Sequence, residues 1–210
     1  MTQVETGSAP RRRLSAAARR QRIESAAVEV FAERGYDATT LGEIATAAGV
    51  ARSVLYDHFP DKRRLYLHVL GTESNAMLAQ VADGITGAGD GRDRMHATIA
   101  AYLAYTRDRP AGRRLLVDPV PSGDPELDQV IRGYRDARAQ VVTTLLAPDL
   151  ARAGIAGAAV PVVVELLIAG VDGVARWSAD HPAADQDEVV GSVLRLLWQG
   201  LPRYADPGER

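Results

Sequence analysis

Apolar residues recur along most of this chain with the spacing of an α-helix rather than that of a β-strand. In residues 15–34 they fall at i, i+3, i+4, i+7 and i+8, which places them on one helical face. They are Ile23, Ala26, Ala27, Val30 and Phe31. The pattern predicts an amphipathic helix that ends at Gly35 and packs into a small core, to which Tyr36 is also expected to contribute.

The next apolar pattern predicts two short helices joined by a tight turn. Thr40 and Glu43 have the spacing of a capping box, in which each side chain satisfies the other's backbone amide. Four apolar residues then repeat at helical spacing: Leu41, Ile44, Ala45 and Ala48. Gly49 suits a left-handed C-cap, and a second helix is expected to start near Ala51 or Arg52. This is the pattern of a helix-turn-helix, whose second helix enters the major groove of DNA.

The side chains of the second helix favour DNA binding over a purely structural hairpin. They are rich in hydrogen-bond donors, whereas a helix pair with only a structural role would expose acidic residues as often. Arg52 and Ser53 are expected to read base edges, with Arg52 preferring guanine. Four further residues are expected to hold phosphates and set the register: Thr40, Tyr56, His58 and Lys62.

The sequence after the helix-turn-helix predicts a helix boundary and a phosphate contact. Pro60 stops the preceding helix, and Asp61 suits the N-cap of the next one. Lys62 then falls in a first helical turn, where free amides, the positive dipole end and a cation can bind one phosphate. This helix is expected to reach Gly84. Because it is long enough to belong to both halves of the chain, we expect it to transmit a ligand signal.

Residues spaced across this region resemble the N-terminal signature of tetracycline-repressor-like (TetR family) regulators. They are Phe31, Gly35-Tyr36, Thr39-Thr40, Ile44-Ala45, Ala48-Gly49-Val50, Leu55-Tyr56, His58-Phe59 and Lys62. The resemblance covers residues 15–66, roughly a quarter of the chain. It implies a three-helix DNA-binding domain, an all-helical ligand-binding and dimerisation domain, and repression relieved by a small molecule. Ala51 departs from the pattern, because the family usually has a small hydroxyl residue there.

The rest of the sequence predicts five more helices and no strand. Their ranges are 93–109, 111–117, 126–147, 158–178 and 187–201. The glycine-rich connection before them is not a phosphate-binding loop, because no Gly-Lys-Ser/Thr sequence follows it. We therefore predict an all-α fold in four parts. They are a flexible basic arm (1–14), a helix-turn-helix DNA-binding domain (15–66), a helical ligand-binding and dimerisation domain (67–201) and a tail (202–210).

The last two predicted helices are apolar on more than one face. A helix that is apolar all round must be buried all round, and a second copy of the chain is the simplest source of that burial. We expect 158–178 and 187–201 to pair with their symmetry mates in a four-helix dimer interface, as the resemblance also implies. Helix-turn-helix proteins use such a dimer to read two half-sites about 34–36 Å apart.

Charge is divided unevenly along the chain. Residues 1–70 hold 11 Arg and Lys against 8 Asp and Glu, whereas residues 71–210 hold 14 against 19. A basic front and an acidic rear suit a protein that presents one end to a polyanion. Arg11, Arg12 and Arg13 have two interpretations that stay open. They form either a solvated disordered tail or a basic arm that follows DNA phosphates or enters the minor groove.

Polar and aromatic side chains on the apolar helices indicate a small-molecule site. They are Tyr102, Tyr105, Arg107, Tyr134, Arg138, Glu165, Asp172, Arg176 and Trp177. Each alone is typical of a core tyrosine or a surface charge, but together they suggest an aliphatic pocket with a few orienting groups. The first candidates are Tyr102, Tyr134, Arg138 and Trp177. We expect a hydrophobic ligand with an acidic or polar end that faces Arg138.

Two other classes of protein compete with a regulator. An enzyme is disfavoured, because the sequence has no cysteine, no metal-ligand spacing among its four histidines and no recognisable catalytic constellation. No metal or other cofactor is therefore expected. A DNA-binding architectural protein without an inducer would keep residues 11–66 but have a filled second domain.

The remaining expectations concern compartment and mechanism. The sequence shows no signal-peptide core and no apolar run of membrane-spanning length, so we expect a cytoplasmic protein without a membrane partner. We expect a homodimeric transcriptional repressor that binds a palindromic operator in double-stranded DNA and is released by a small hydrophobic ligand.

Overall fold

The computed structural model describes residues 15–86, 88–152 and 154–205, with side chains described up to residue 199. Every regular element in this part of the chain is an α-helix, which confirms the predicted fold class. The helices are α1 (Ala16–Arg34), α2 (Leu41–Ala48), α3 (Arg52–His58), α4 (Lys62–Ile85), α5 (Gly91–Asp108), α6 (Pro110–Val117), α7 (Pro125–Arg152), α8 (Ala159–Asp180) and α9 (Gln186–Ala205). None of these described helices has the length and apolarity needed to cross a membrane.

Local caps fix both ends of α2 and the start of α4. Both halves of the capping box between Thr40 and Glu43 are formed at the start of α2. Gly49 ends that helix in the left-handed conformation, with φ 64°. Asp61 accepts a hydrogen bond from the Arg64 amide at 2.7 Å and so begins α4. These three caps confirm the boundaries that the sequence predicts.

Helix α7 runs further than the sequence predicts. The expected end at residue 147 is wrong, because the helix continues through Pro148 to Arg152. A proline inside a helix loses one backbone hydrogen bond and costs about 3 kcal/mol. Tertiary contacts offset this cost: Leu150 is buried, and the buried Asp149 carboxylate pairs with Arg94 of α5 at 3.0 Å.

Helix α9 also continues past a proline. The predicted helix end at residue 201 is wrong, because α9 continues through Pro202 to Ala205. Proline cannot donate a hydrogen bond to the carbonyl of the residue four positions before it. The residues that follow it can still adopt helical φ and ψ angles, so the helix can continue. Residues 206–210 lie outside the described residues.

The helices pack around two clusters of buried apolar side chains. The first cluster joins α1, α2 and α3 to the first half of α4, to Leu115 of α6 and to Leu127 and Ile131 of α7. The second cluster joins the second half of α4 to α5, α7, α8 and α9. Helix α4 gives Leu70 to the first cluster and Met77 to the second. One continuous helix therefore connects the two cores, while the domain limits stay a prediction.

A buried carboxylate lies on α4 between the two clusters. Glu73 is only 3% exposed. It accepts hydrogen bonds from Arg109 Nε at 2.9 Å and from the Tyr105 hydroxyl at 2.9 Å. Gly112 of α6 lies against the same group, where an added Cβ would be 2.7 Å from the Tyr105 oxygen. The paired charge thereby ties α4 to the junction of α5 and α6.

The loop between α6 and α7 holds the N-terminal helices against the rest of the chain. The Gly123 amide donates to the Asp37 carboxylate at 2.6 Å, next to the turn that leads into α2. Arg63 at the start of α4 pairs with Asp124 at 3.0 Å and with Glu126 at 3.2 Å. These contacts fix the orientation of the helix-turn-helix relative to α7.

Candidate DNA-binding surface and ligand cavity

Helix α3 presents the donor-rich side chains that the sequence assigns to DNA. Its one buried residue is Leu55, which anchors the helix in the first cluster. Arg52, Ser53 and Tyr56 are exposed, and their spacing places them on one side of the helix. His58 is half-buried at the end of α3. The geometry suits a recognition helix, and the individual base and phosphate contacts stay predictions.

The Arg52 side chain lies directly over Gly42 of α2. A Cβ added at residue 42 would be 2.7 Å from Arg52 Cζ and 2.8 Å from Nε. Such distances are too short for real contacts, so glycine provides the space that this rotamer of Arg52 occupies. The sequence did not reveal this role, because Gly42 falls within an ordinary helical pattern.

Thr40 and Lys62 already have partners within the chain. The Thr40 hydroxyl accepts from the Glu43 amide at 3.3 Å and donates to the Glu43 carboxylate at 2.9 Å. The Lys62 ammonium donates to the carbonyls of Tyr36 at 2.9 Å and Thr39 at 3.0 Å. It also lies 4.3 Å from the centre of the Tyr36 ring. Lys62 therefore holds the connection between α1 and α2, a function that its sequence position did not indicate.

The N-terminal start of α3 and the basic arm complete the predicted DNA surface. Ala51 forms the N-cap of α3 with an extended backbone and no side-chain hydrogen bond. This agrees with its departure from the family pattern. Arg11, Arg12 and Arg13 lie outside the described residues, so both interpretations of the arm stay open.

A cavity of about 80 Å³ lies beside the second cluster and is lined by residues of α4, α5, α7, α8 and α9. Helix α4 contributes Met77, Leu78 and Val81 to its wall. Among the described residues, the polar side chains that line it are Thr98, Tyr102 and Arg138, and the rest are apolar. The cavity is therefore an aliphatic space with a few polar groups at one side, as expected for a small-molecule site.

Two of the polar groups of the cavity, Tyr102 and Arg138, form a connected cluster with Asp172 of α8. The Tyr102 hydroxyl donates to Asp172 Oδ1 at 2.5 Å. Arg138 binds the same carboxylate through Nη2 to Oδ1 at 2.5 Å and through Nη1 to Oδ2 at 3.2 Å. Its guanidinium carbon also lies 4.9 Å from the centre of the Tyr102 ring. Burial raises the pKa of Tyr102, so its hydroxyl keeps its proton across the ordinary pH range.

The structure brings two of the four predicted ligand residues to this cavity. Tyr134 is one helical turn from Arg138, about 6 Å along α7, which places it beside the first cluster. Its hydroxyl there lies 2.9 Å from the position of a Cβ added at Gly71. Trp177 is nearly half exposed and stacks on His181 with ring centres 4.3 Å apart. Tyr134 and Trp177 therefore do not line the cavity.

One face of α8 and α9 remains uncovered in the single chain. The large apolar side chains there are Val162, 68% exposed, Leu166, 70% exposed, and Leu196, 75% exposed. On α8 the face continues through Gly170, where an added Cβ would meet nothing within 4 Å. Exposed apolar side chains along one helical face are typical of a protein interface.

Comparison with known proteins identifies relatives along nearly the whole chain. The model of the family "Bacterial regulatory proteins, tetR family" matches residues 23–69. The chain is 30% identical over 184 residues to the HTH-type transcriptional activator FasR of Mycolicibacterium smegmatis. The matched region covers 87% of this chain and 83% of that protein. The chain is also 29% identical over 154 residues to the HTH-type transcriptional regulator RutR of Escherichia coli. That matched region covers 70% of this chain and 69% of that protein.

Solved structures share the same fold at lower sequence identity. The fatty acid degradation regulator FadR from Bacillus halodurans superposes with a TM-score of 0.73 at 18% identity, covering 91% of this chain and 96% of that one. The transcriptional regulator FadR from Bacillus subtilis, solved in complex with stearoyl-CoA, gives a TM-score of 0.71 at 20% identity, covering 84% and 96%. Both likenesses establish the fold.

Proposed function

This chain belongs to the TetR family of bacterial transcriptional regulators, and we propose that it is a homodimeric repressor released from a palindromic operator by an apolar ligand. The observation that supports this proposal is the course of α4. That helix begins beside the helix-turn-helix at Lys62, and its second half contributes Met77, Leu78 and Val81 to the cavity wall. A ligand in the cavity therefore touches the helix that carries the DNA-binding unit.

The proposed DNA contacts follow from the exposed side of α3. Arg52 and Ser53 read base edges in the major groove, and Tyr56 and His58 bind phosphates on either side. Thr40 and Lys62 complete the phosphate contacts. To bind a phosphate, the Lys62 ammonium gives up its hydrogen bond to one of the backbone carbonyls. Arg11, Arg12 and Arg13 follow the backbone into the adjacent minor groove. These contacts hold the protein on operator DNA, and we propose that it acts in the cytoplasm.

The dimer forms through the uncovered apolar face of α8 and α9. Val162, Leu166 and Leu196 become buried against the same residues of a second copy, as a two-fold axis requires. The small Gly170 between them lets the two α8 helices approach closely. The dimer then presents two copies of α3 to successive major grooves, about 34–36 Å apart.

Ligand entry must widen the cavity. Its volume of about 80 Å³ is below the about 300–1,000 Å³ that is typical of pockets that hold small molecules. We propose that the ligand carries a long acyl chain, in keeping with the aliphatic wall and with the stearoyl-CoA held by FadR of Bacillus subtilis. Widening shifts α4 and changes the separation of the two α3 helices. The ligand thereby favours a conformation that no longer fits both half-sites.

The test is fluorescence anisotropy of the purified chain on DNA from upstream of its own gene, with scrambled DNA as the control. The proposal predicts selective binding with two chains per site and release on addition of a long-chain acyl ester. Binding that is weak and equal on both DNAs would contradict a sequence-reading regulator. Selective binding that no acyl compound reverses would contradict the ligand and leave the regulator.

A second candidate is an activator with the same DNA contacts and the same ligand. The relative FasR is named an activator, which favours this possibility. In vitro transcription from the bound promoter separates the two candidates. A repressor lowers the amount of transcript when it binds, whereas an activator raises it. The cavity favours either of these over an architectural protein with a filled second core.

A further inference from the structure

The polar side of the cavity is electrically neutral. Arg138 is the charged residue that lines the cavity among the described residues, and its guanidinium is paired with both oxygens of Asp172. The two side chains are only 13% and 15% exposed, so water screens this pair weakly. A ligand that enters the cavity therefore meets a cation whose charge is already balanced.

The free hydrogen-bonding capacity of the cluster can be counted from its contacts. The Tyr102 hydroxyl gives its one proton to Asp172, so toward a ligand it can only accept. Arg138 has five N–H donors and uses two of them on Asp172, so further donors remain on the guanidinium. The Thr98 hydroxyl donates to the Arg94 carbonyl at 2.8 Å and likewise retains acceptor capacity. This side of the cavity therefore offers a ligand N–H donors from Arg138 and lone pairs from the Tyr102 and Thr98 hydroxyls.

A free carboxylate fits this arrangement badly. Placed against Arg138 it would lie close to the Asp172 carboxylate, with one cation between two anions in an apolar space. Like-charge repulsion and the loss of hydration both disfavour it. A carbonyl or hydroxyl oxygen can accept from Arg138 without adding charge, and a hydroxyl can also donate to Tyr102. The expected acidic ligand end that faces Arg138 therefore conflicts with the Asp172 pair.

We propose that the cluster of Tyr102, Arg138 and Asp172 selects ligands whose polar group is an uncharged oxygen, such as an ester, thioester, amide or hydroxyl, and that Asp172 excludes free carboxylates. This inference rests on the proposed function in one respect, namely that the cavity is the effector site. Within it, Asp172 acts as a specificity-determining residue that does not line the cavity itself. The class of effector is then an acyl derivative rather than a free fatty acid.

The experiment measures ligand affinity from the shift in melting temperature of the full chain, without DNA. The probes are methyl laurate with laurate, and methyl palmitate with palmitate, at neutral pH, where the acids are ionised. The wild type is expected to bind each ester about tenfold or more tightly than its acid. Asp172→Asn keeps the shape but leaves Arg138 unbalanced, so the acid is expected to gain about tenfold and the preference to disappear or invert.

Two further variants separate charge from damage to the fold. Arg138→Gln combined with Asp172→Asn removes both charges, and the ester preference is expected to persist. Asp136→Asn removes an exposed carboxylate from the same helix as Arg138 and is expected to leave the preference unchanged. If Asp172→Asn does not fold, Asp172→Ser makes the same test, because it also removes the anion and leaves the Arg138 guanidinium unbalanced.

Each other outcome overturns a different statement. If wild-type protein binds the acid as tightly as the ester, Asp172 does not select against carboxylates. If that acid also releases the operator, the proposed function still holds. Wild-type protein that binds operator but neither ester nor acid would overturn the acyl ligand together with the selection. Failure of operator binding alone would overturn the repressor and leave the ligand preference to be read from the melting temperatures.

Discussion

Lys62 is the residue whose structural contribution can be calculated most directly. Replacing it by Met keeps most of the apolar stem over the Tyr36 ring but removes the ammonium that donates to the Tyr36 and Thr39 carbonyls at 2.9 and 3.0 Å. Each lost hydrogen bond costs about 1 kcal/mol, so the free energy of unfolding is expected to fall by about 2 kcal/mol. For a chain of this length the melting temperature is then lowered by about 4–8 °C.

Circular dichroism at 222 nm during heating measures that shift. Arg64→Met is the matched control, because its side chain is 74% exposed and contacts Asp61 only at 3.7 Å. A shift for Lys62→Met no larger than for this control would refute the structural role of the ammonium. The same variant tests the phosphate contact, since operator binding should lose about one unit of its slope against salt. An unchanged slope would remove Lys62 from the DNA surface.

Three further predictions follow from single contacts. Gly42→Ala should displace the Arg52 side chain and lower the affinity for the best operator, measured by anisotropy, by about tenfold. Gly133→Ala is the control, because an added Cβ there meets nothing within 4 Å, and it should leave the affinity unchanged. Leu166→Glu should convert dimer to monomer in sedimentation, and an unchanged mass would exclude this face as the interface. Burial raises the pKa of Tyr66 from 10.0 to about 12, so the contribution of Tyr66 to the free energy of unfolding should be complete below pH 10 and be lost between pH 10 and 12. Tyr66→Phe should reduce this loss of stability. If urea unfolding shows the same dependence of the free energy of unfolding on pH in both proteins, Tyr66 is not its source.

The fold could be predicted from sequence wherever the determinants are local. The capping box of Thr40 and Glu43, the left-handed Gly49 and the N-cap Asp61 each act within a few residues, so their spacing fixes helix ends. The continuation of α7 through Pro148 could not be predicted in this way. It depends on the ion pair between Asp149 and Arg94, which are 55 residues apart in the chain.

The candidate sites show the same limit. Tyr102 and Arg138 could be selected by residue type on apolar helices, but their shared partner Asp172 becomes evident only when α5, α7 and α8 pack together. Tyr134 has the same residue type as Tyr102 and a position four residues from Arg138, yet it lies beside the other core. The second role of Lys62, as a donor to carbonyls more than twenty residues earlier, is likewise a tertiary contact.

The central claim is that a ligand in the cavity moves the two recognition helices relative to each other. The chain has no cysteine, so Glu33→Cys introduces a single labelling site at an exposed position of α1 in each protomer, outside the residues proposed to contact DNA. Pulsed electron paramagnetic resonance then measures the distance between the two spin labels in the dimer. If the ligand moves the recognition helices, the distance distribution on operator DNA should be consistent with half-sites about 34–36 Å apart, and it should shift when methyl palmitate is bound. Identical distributions with and without the ligand, at a concentration that releases the operator, would contradict this claim.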